Sequence, residues 1–346
     1  MADRIKIAID AMGSDNGPES LISGAAISKE RYPEIYYTFL GKENLLKDII
    51  VKHKIFNDSY KILDTPEVIN PDDKPSHVIR KRKDSSMGVA IKELSEKRVD
   101  ALVSAGNTGA LMGMSKLQLK TLEGIQRPAI AATIPNLQGE FVLLDLGANI
   151  DCNAIMLLQF ALMGVEFAKV ILGKDKPRVG ILNVGTEKEK GKLYIQEASK
   201  MIENSYLAEN FVGFVEGNEI TMGKADVVIT DGFTGNIALK TAEGVAKLSS
   251  SYIKSIFSNS LSGKISYLLM KKSLNTLKHK LDPRNRNGAL LLGLNGIVVK
   301  SHGGADSLSF AAAIDIAFEF AKLGVGDRII KNLHNLNVQE KELQND

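Results

Sequence analysis

Tryptophan is absent from this chain, and aromatic residues make up only 6% of its 346 positions. A core drawn from the 44% that are hydrophobic must therefore be aliphatic and rich in Ala and Gly. A single cysteine, Cys152, excludes an internal disulfide framework and a cysteine-based zinc site. With a formal charge of only +3, there is no overall case for a nucleic-acid partner. No run approaches 18 uninterrupted apolar residues, which argues against a membrane-spanning helix. The opening MADRIKIAIDAMG lacks the cationic start, apolar run and small-residue cleavage site of a secretory signal, so a cytoplasmic protein is expected. Missing as well are G-x-x-x-x-G-K-[ST], a strand-following G-x-G-x-x-G with its acid, H-E-x-x-H and G-x-S-x-G. Neither a metal nor a cofactor is expected.

Short β-branched runs alternate with helical patterns through most of the chain. The strand candidates are 5–10, 35–40, 101–104, 142–146, 179–184, 227–230 and 297–300. Most are apolar without strict alternation, which suits parallel strands covered on both faces. Helical periodicity falls on 18–29, 85–97, 153–172, 193–202 and 307–323. Strand–helix–strand succession predicts an α/β fold, a mostly parallel, doubly wound sheet in three αβα layers with right-handed crossovers. No internal repeat or linker divides it, so residues 1–330 form one expected domain and 331–346 a polar C-terminal tail.

One stretch departs from the pattern. From Lys247 to Arg286 there are nine Lys or Arg and one acid, Asp282. Leu248, Tyr252 and Ile256 fall on one helical stripe; beyond Gly263, Ile265, Leu268, Leu269 and Leu277 lie close together on a second. The segment 244–286 reads as a basic amphipathic helical element. It is either a dimer interface or lid with a solvated edge, or a surface that meets something acidic, a membrane or a partner protein.

Six unusual loops follow strand candidates: 10–15, 104–110, 145–149, 183–187, 231–236 and 300–304. In open α/β sheets ligands bind at the carboxyl ends of strands. Glycine lets backbone approach a ligand, and helix starts attract anions. Together these loops predict an anionic ligand held mainly by neutral donors. Of the five histidines only His302 lies in such a loop, where it either satisfies the loop or moves a proton. Lys190 either belongs to a solvated helix start or clamps an oxyanion. Lys240, four residues after Asn236, shares its helical face or forms an ion pair. Cys152 begins a helix, where packing is the expected role.

Taken in order, the segments IAIDAMGSD (7–15), SSMGVAI (85–91), DALVSAGNTGALM (100–112), RPAIAATIP (127–135), LLDLGANIDC (143–152), QFALMG (159–164), VGILNVGTEKEKG (179–191), DVVITDGFTGNIALKTAEG (226–244) and LLGLNGIVVKSHG (291–303) resemble the PlsX family of bacterial phosphate acyltransferases. Ser14 stands where that family usually carries a second glycine. The resemblance implies a homodimer with a three-layer αβα fold similar to that of isopropylmalate dehydrogenases and phosphotransacetylases. It implies transfer of a long-chain acyl group from acyl-acyl-carrier protein to inorganic phosphate, giving acyl phosphate for a downstream glycerol-3-phosphate acyltransferase of phospholipid synthesis. Peripheral membrane association would give the basic segment a purpose, through Lys254, Lys264, Lys271 and Lys272 against lipid or carrier protein.

Phosphate is itself the nucleophile in such a reaction, so no Ser or Cys nucleophile is required. Lys190, Asn236 and His302 are then the candidates for stabilising the reaction centre and handling protons. Asp10, Gly13, Ser104, Gly106, Asn107, Thr108, Gly109, Asn149, Gly185 and Lys240 are the candidates for binding phosphate and substrate. The rivals are a phosphotransacetylase-like enzyme using acyl-coenzyme A, a dehydrogenase requiring nicotinamide and a divalent metal, and a catalytically silent scaffold.

Overall fold

Alternate residues along the strands enter two different cores, one on each side of a single sheet. The computed structural model describes residues 4–70, 72–258, 262, 266–272 and 287–333. Its strands are β1 (Lys6–Asp10), β2 (Tyr36–Gly41), β3 (Tyr60–Asp64), β4 (Ala101–Ser104), β5 (Ala129–Asn136), β6 (Gly139–Leu144), β7 (Val179–Leu182), β8 (Phe211–Val215), β9 (Val227–Ile229), β10 (Ala289–Leu292) and β11 (Ile297–Lys300). The helices are α1 (Gly17–Arg31), α2 (Glu43–Ile50), α3 (Pro75–Lys81), α4 (Ser86–Ser95), α5 (Thr108–Leu119), α6 (Ala154–Ile171), α7 (Leu193–Glu203), α8 (Gly232–Ser258) and α9 (Ser307–Leu323).

Ile7, Ile9, Val103, Leu144 and Ile229 face one core with Leu21 of α1, Phe160 of α6 and Phe310 of α9. Their neighbours Ala8, Leu102, Leu143 and Val228 face the other, with Val78 of α3, Met87 of α4 and Leu111 of α5. Burial on both faces explains why these strands read as continuous apolar runs rather than as alternation. Helices on both sides make the three-layer αβα arrangement the sequence predicts.

The strands stand in the order β3-β2-β1-β4-β11-β10-β5-β6-β9-β7-β8. Seven of the ten neighbouring pairs are parallel. The three antiparallel pairs, β11–β10, β10–β5 and β5–β6, lie together at the centre. Four of the eleven strands, β3, β5, β8 and β10, fall outside the sequence expectation. Each lacks a clean apolar signature: β5 carries Pro135, β8 carries Gly213, β3 includes Lys61 and Asp64, and the short Ala-Leu-Leu-Leu run of β10 suits a helix equally.

At the start of β9, Asp226 ties two strands together by accepting hydrogen bonds from the Arg178 backbone and guanidinium and from Lys174. Burial alone would raise its carboxyl, but these cations hold it down at about 2. The helix α6 is apolar enough by length and composition to cross a bilayer, yet 78% of it is buried inside the protein, so it serves as the central core helix. Residues 325–333 of the region read around the expected tail are helical, with Leu333 buried; the rest of that tail lies outside the described residues.

Candidate functional site

The register across the sheet decides which loops can meet. Val103, Val299, Leu290, Ala131, Leu144 and Ile229 form one row from β4 to β9. One residue beyond Val299 is Lys300, at one edge of the sheet. One residue beyond Leu144 is Asp145, at the opposite edge, because β6 runs against β11. The six loops therefore form two clusters instead of one: those after β1, β4 and β11 at a first edge, those after β6, β7 and β9 at a second. Of the three residues expected to share a reaction centre, His302 lies at the first edge, while Lys190 and Asn236 lie at the second. Three strand spacings separate β11 from β6, roughly 14 Å.

At the first edge, Asp10, Ser104 and Lys300 are register partners on three adjacent parallel strands and point to the same face. The buried Asp10 carboxylate accepts from Ser86 Oγ at the start of α4 and from Ser104 Oγ, both at 2.7 Å. Burial pushes this carboxyl above the usual range, against the pull of the two hydroxyls and of Lys300. Lys300 Nζ donates to the Ala105 carbonyl at 3.3 Å and to that of Ser301, so it clasps the loops after β4 and β11. Burial lowers its ammonium to about 8, partly offset by Asp10 and Asp15. The helix starts of α1, α4, α5 and α9 all open on this edge and add partial positive charge.

Gly13 and Gly106 allow two of these loops to touch. A Cβ on Gly13 would lie 2.7 Å from the Gly106 nitrogen and 2.9 Å from Asp10 Oδ2. Ser14 Oγ donates to the Gly303 carbonyl at 3.1 Å and accepts from Asn16 N–H, so serine at this position links two loops rather than disturbing one. The Gly106 N–H is taken by Ser104 Oγ. Asn107 caps α5 through Ala110 N–H and donates to the Asp73 carbonyl, so its amide builds the loop. Thr108 and Gly109 are exposed at the open start of α5. Exposed His302 accepts from Gly304 N–H through Nδ1 at 3.1 Å, which in neutral imidazole leaves Nε2 carrying the proton. Asn287 holds the loop by accepting from His302 N–H and donating to Ser301 Oγ.

At the second edge, Asp145 accepts from the backbone N–H groups of Ile130, Ala148 and Asn149 and from the Asn149 amide, which also donates to the Pro128 carbonyl. Asn149 is thus committed to the fold. Asp231 caps α8 through Thr234 and accepts from Tyr194 OH at 3.0 Å. Lys190 is exposed and packs beside Gly185, where a Cβ would come within 3.1 Å of its Cγ. Exposed Asn236 stands beside Gly147. Lys240 pairs with Glu243 at 3.2 Å, the ion-pair alternative. Burial and nearby carboxylates push the Cys152 thiol up to about 12, which suits packing rather than a thiolate.

Lys254, Lys271 and Lys272 are exposed far along α8 and on helical residues 266–272. Lys264 and residues 273–286 lie outside the described residues. Among the described residues no cluster of His, Cys, Asp and Glu could hold a metal. Sequence reading does not single out Ser86, Asn287 or, above all, Lys300, which enters it only as the first residue of the loop 300–304; the register with Asp10 and Ser104 is a property of the sheet.

A family model described as fatty acid synthesis protein matches residues 5–328. A phosphate acyltransferase of Rhodospirillum centenum is 47% identical over 97% of this chain and 95% of its own. One from Methylococcus capsulatus is 46% identical over 93% and 95%. Among solved structures, a phosphotransacetylase from Streptococcus pyogenes superposes with a TM-score of 0.63 at 17% identity, covering 93% of this chain and 95% of that one. A branched-chain phosphotransacylase from Enterococcus faecalis gives 0.55 at 14%, over 92% and 99%. At those identities the structures show a shared fold.

Because its folded value lies below the ordinary 10.5, Lys300 leaves the folded chain with fewer protons than the unfolded chain between about pH 8 and 10.5. Its contribution to stability therefore rises with pH across that window. Urea unfolding at about pH 8 and about pH 10 should show a smaller gain for Lys300→Met than for the wild type. An equal gain would contradict a buried ammonium.

Proposed function

This chain belongs to the fatty acid synthesis protein family, and on that premise we propose that it transfers a long-chain acyl group from acyl-acyl-carrier protein to inorganic phosphate, forming acyl phosphate for phospholipid synthesis. The observation that carries this reading to a place in the fold is the Asp10–Ser104–Lys300 row beneath the open start of α5. Inorganic phosphate binds over Thr108 and Gly109, within the field of four helix starts and the Lys300 ammonium. Asn107, Gly13 and Gly106 shape the loop that receives it.

An oxygen of hydrogen phosphate attacks the thioester carbon, forming the C–O bond and a tetrahedral oxyanion. Collapse breaks the C–S bond, and the proton brought by hydrogen phosphate ends on the departing sulfur. Stoichiometry thus needs no side-chain nucleophile, in keeping with the high Cys152 thiol. His302 donates from Nε2 to the developing negative charge.

Lys190 and Asn236 can add donors to the same centre only from a second copy, and we assign the working form as a homodimer. Around the second edge Ile150, Val184, Leu193, Phe233 and Ile237 are exposed apolar side chains that a partner copy would cover. The oxyanion then lies between His302 of one copy and the second-edge residues of the other. A coenzyme A thioester as donor is the alternative, favoured by the fold shared with phosphotransacetylases.

The basic helical element serves peripheral attachment to the cytoplasmic membrane face, beside the glycerol-3-phosphate acyltransferase that consumes the product. Leu248, Tyr252 and Ile256 are exposed on α8, and Leu268 and Leu269 on 266–272, next to Lys271 and Lys272. Lys254 lies about 33 Å along the α8 axis from Gly232, well away from the chemistry. Apolar side chains flanked by cations suit an anionic lipid surface.

Two experiments test these assignments. His302→Ala and Lys190→Ala should each lose most turnover, and refolding them together should restore about a quarter of wild-type activity, because half the dimers are hybrids with one intact site of two. No restoration would place both residues outside a shared site. Lys271→Glu with Lys272→Glu should abolish flotation with anionic liposomes while leaving turnover in solution intact; unchanged flotation would contradict the membrane role.

A further inference from the structure

Residues 74–83 read Lys-Pro-Ser-His-Val-Ile-Arg-Lys-Arg-Lys, five cations without one acid. They comprise α3 and the turn that follows it. Only Val78 is buried, and the helix is held at the surface by contacts with α5. The Asp73 carbonyl accepts from the Asn107 amide at 3.2 Å. Pro75 abuts Gly109 so closely that a Cβ there would lie 2.7 Å from Pro75 Cγ. Ile79 presses on Gly113 one turn further along. The basic helix thus rides on the first two turns of α5, at the end where the thioester must arrive.

Lys74, His77, Arg80, Lys81 and Lys83 are exposed. Among the described residues only Arg82 of the five cations has an acidic partner, Glu67 at 3.4 Å. A charge run on a helix is commonly a solvated face, but such faces usually carry both signs. Surfaces elsewhere on this protein do so, as in the Lys47–Glu43, Lys52–Glu19, Lys188–Glu203 and Lys240–Glu243 pairs. Here four of the five cations have no acidic partner among the described residues, and the run outweighs Asp72, Asp73 and Asp84 that flank it. A basic patch at the rim of a site steers and orients an acidic macromolecule.

We propose that α3 with the cations of residues 74–83 is the docking surface for the acidic carrier protein that delivers the acyl thioester. This rests on the acyl-carrier reading above and assigns that partner a place distinct from the basic element of α8. The bound carrier would extend its thioester arm past Pro75 and Gly109 to the start of α5. Lipid is left to α8 and residues 266–272, where cations and exposed apolar side chains occur together. Around α3 the cations stand without such apolar neighbours, Ile79 being half-buried against α5.

The test uses the full chain with Arg80, Lys81 and Lys83 each changed to Glu, and in parallel with Lys81→Arg and Lys83→Arg. For the charge-reversed protein, kcat/KM for palmitoyl-acyl-carrier protein should fall about ten-fold or more at low salt, through KM. Its kcat at saturating donor and its KM for phosphate should stay at wild-type values. The fall in wild-type kcat/KM as salt is added should be largely absent from it. The arginine version should behave as wild type, and flotation with anionic liposomes should be unchanged. A carrier KM unaffected by reversal overturns the proposal, as does a loss of flotation, which would make α3 a lipid surface. A parallel loss of kcat and phosphate affinity overturns it too, since the helix would then only support α5. A wild-type protein that forms no acyl phosphate from the carrier thioester would instead fail the reading on which the docking surface rests.

Discussion

Between β11 and β6 the sheet changes direction three times, through two antiparallel neighbours of β10 and the β5–β6 hairpin. A loop leaves a strand only at its carboxyl end, so each change moves the next loop to the other edge. Strands β1 to β4 and β11 open on one side, and β6 to β9 on the other. Anion-attracting helix starts follow the same partition. A single chain thus carries donor-rich loops at both ends of the sheet but cannot close them on each other, and the proposed dimer answers that constraint.

At the first edge the physical problem is a carboxylate and an ammonium taken largely out of water. Asp10 is stabilised by two hydroxyls and Lys300 by two carbonyls, so both charges are solvated by the protein. Glycines 13 and 106 let the loops approach closely enough for this arrangement to form. The charges lie beneath the open end of α5 and are fixed before any ligand arrives. Such preorganisation is what a developing oxyanion needs, because no dipole has to turn during the reaction.

Much of the fold was legible in the sequence because burial on both faces leaves a clear mark. The runs at 6–10, 101–104 and 297–300 are apolar where both cores press on them. The β5–β6 hairpin was not legible: Pro135 and the polar turn at its end hide a pair of long strands, and with them the reversal of direction. The loops were recognisable as donor-rich, but their grouping depends on strand direction, which no local pattern encodes. Hence the sequence offers His302, Lys190 and Asn236 as candidates for one reaction centre without showing whether they lie together, and the chain carries them to opposite edges. Lys300 enters the sequence reading only as the first residue of the loop 300–304; register with Asp10 and Ser104 gives it a place.

Phosphate as nucleophile is the claim on which the site, the dimer and the carrier surface all converge. Its most direct test is incubation of the purified protein with palmitoyl-acyl-carrier protein and radiolabelled phosphate. Label should pass into an organic-soluble acyl phosphate as free carrier thiol appears in equal amount, without coenzyme A or nicotinamide. Thiol release with no label in the organic phase would mean that water attacks the thioester, and would contradict the account.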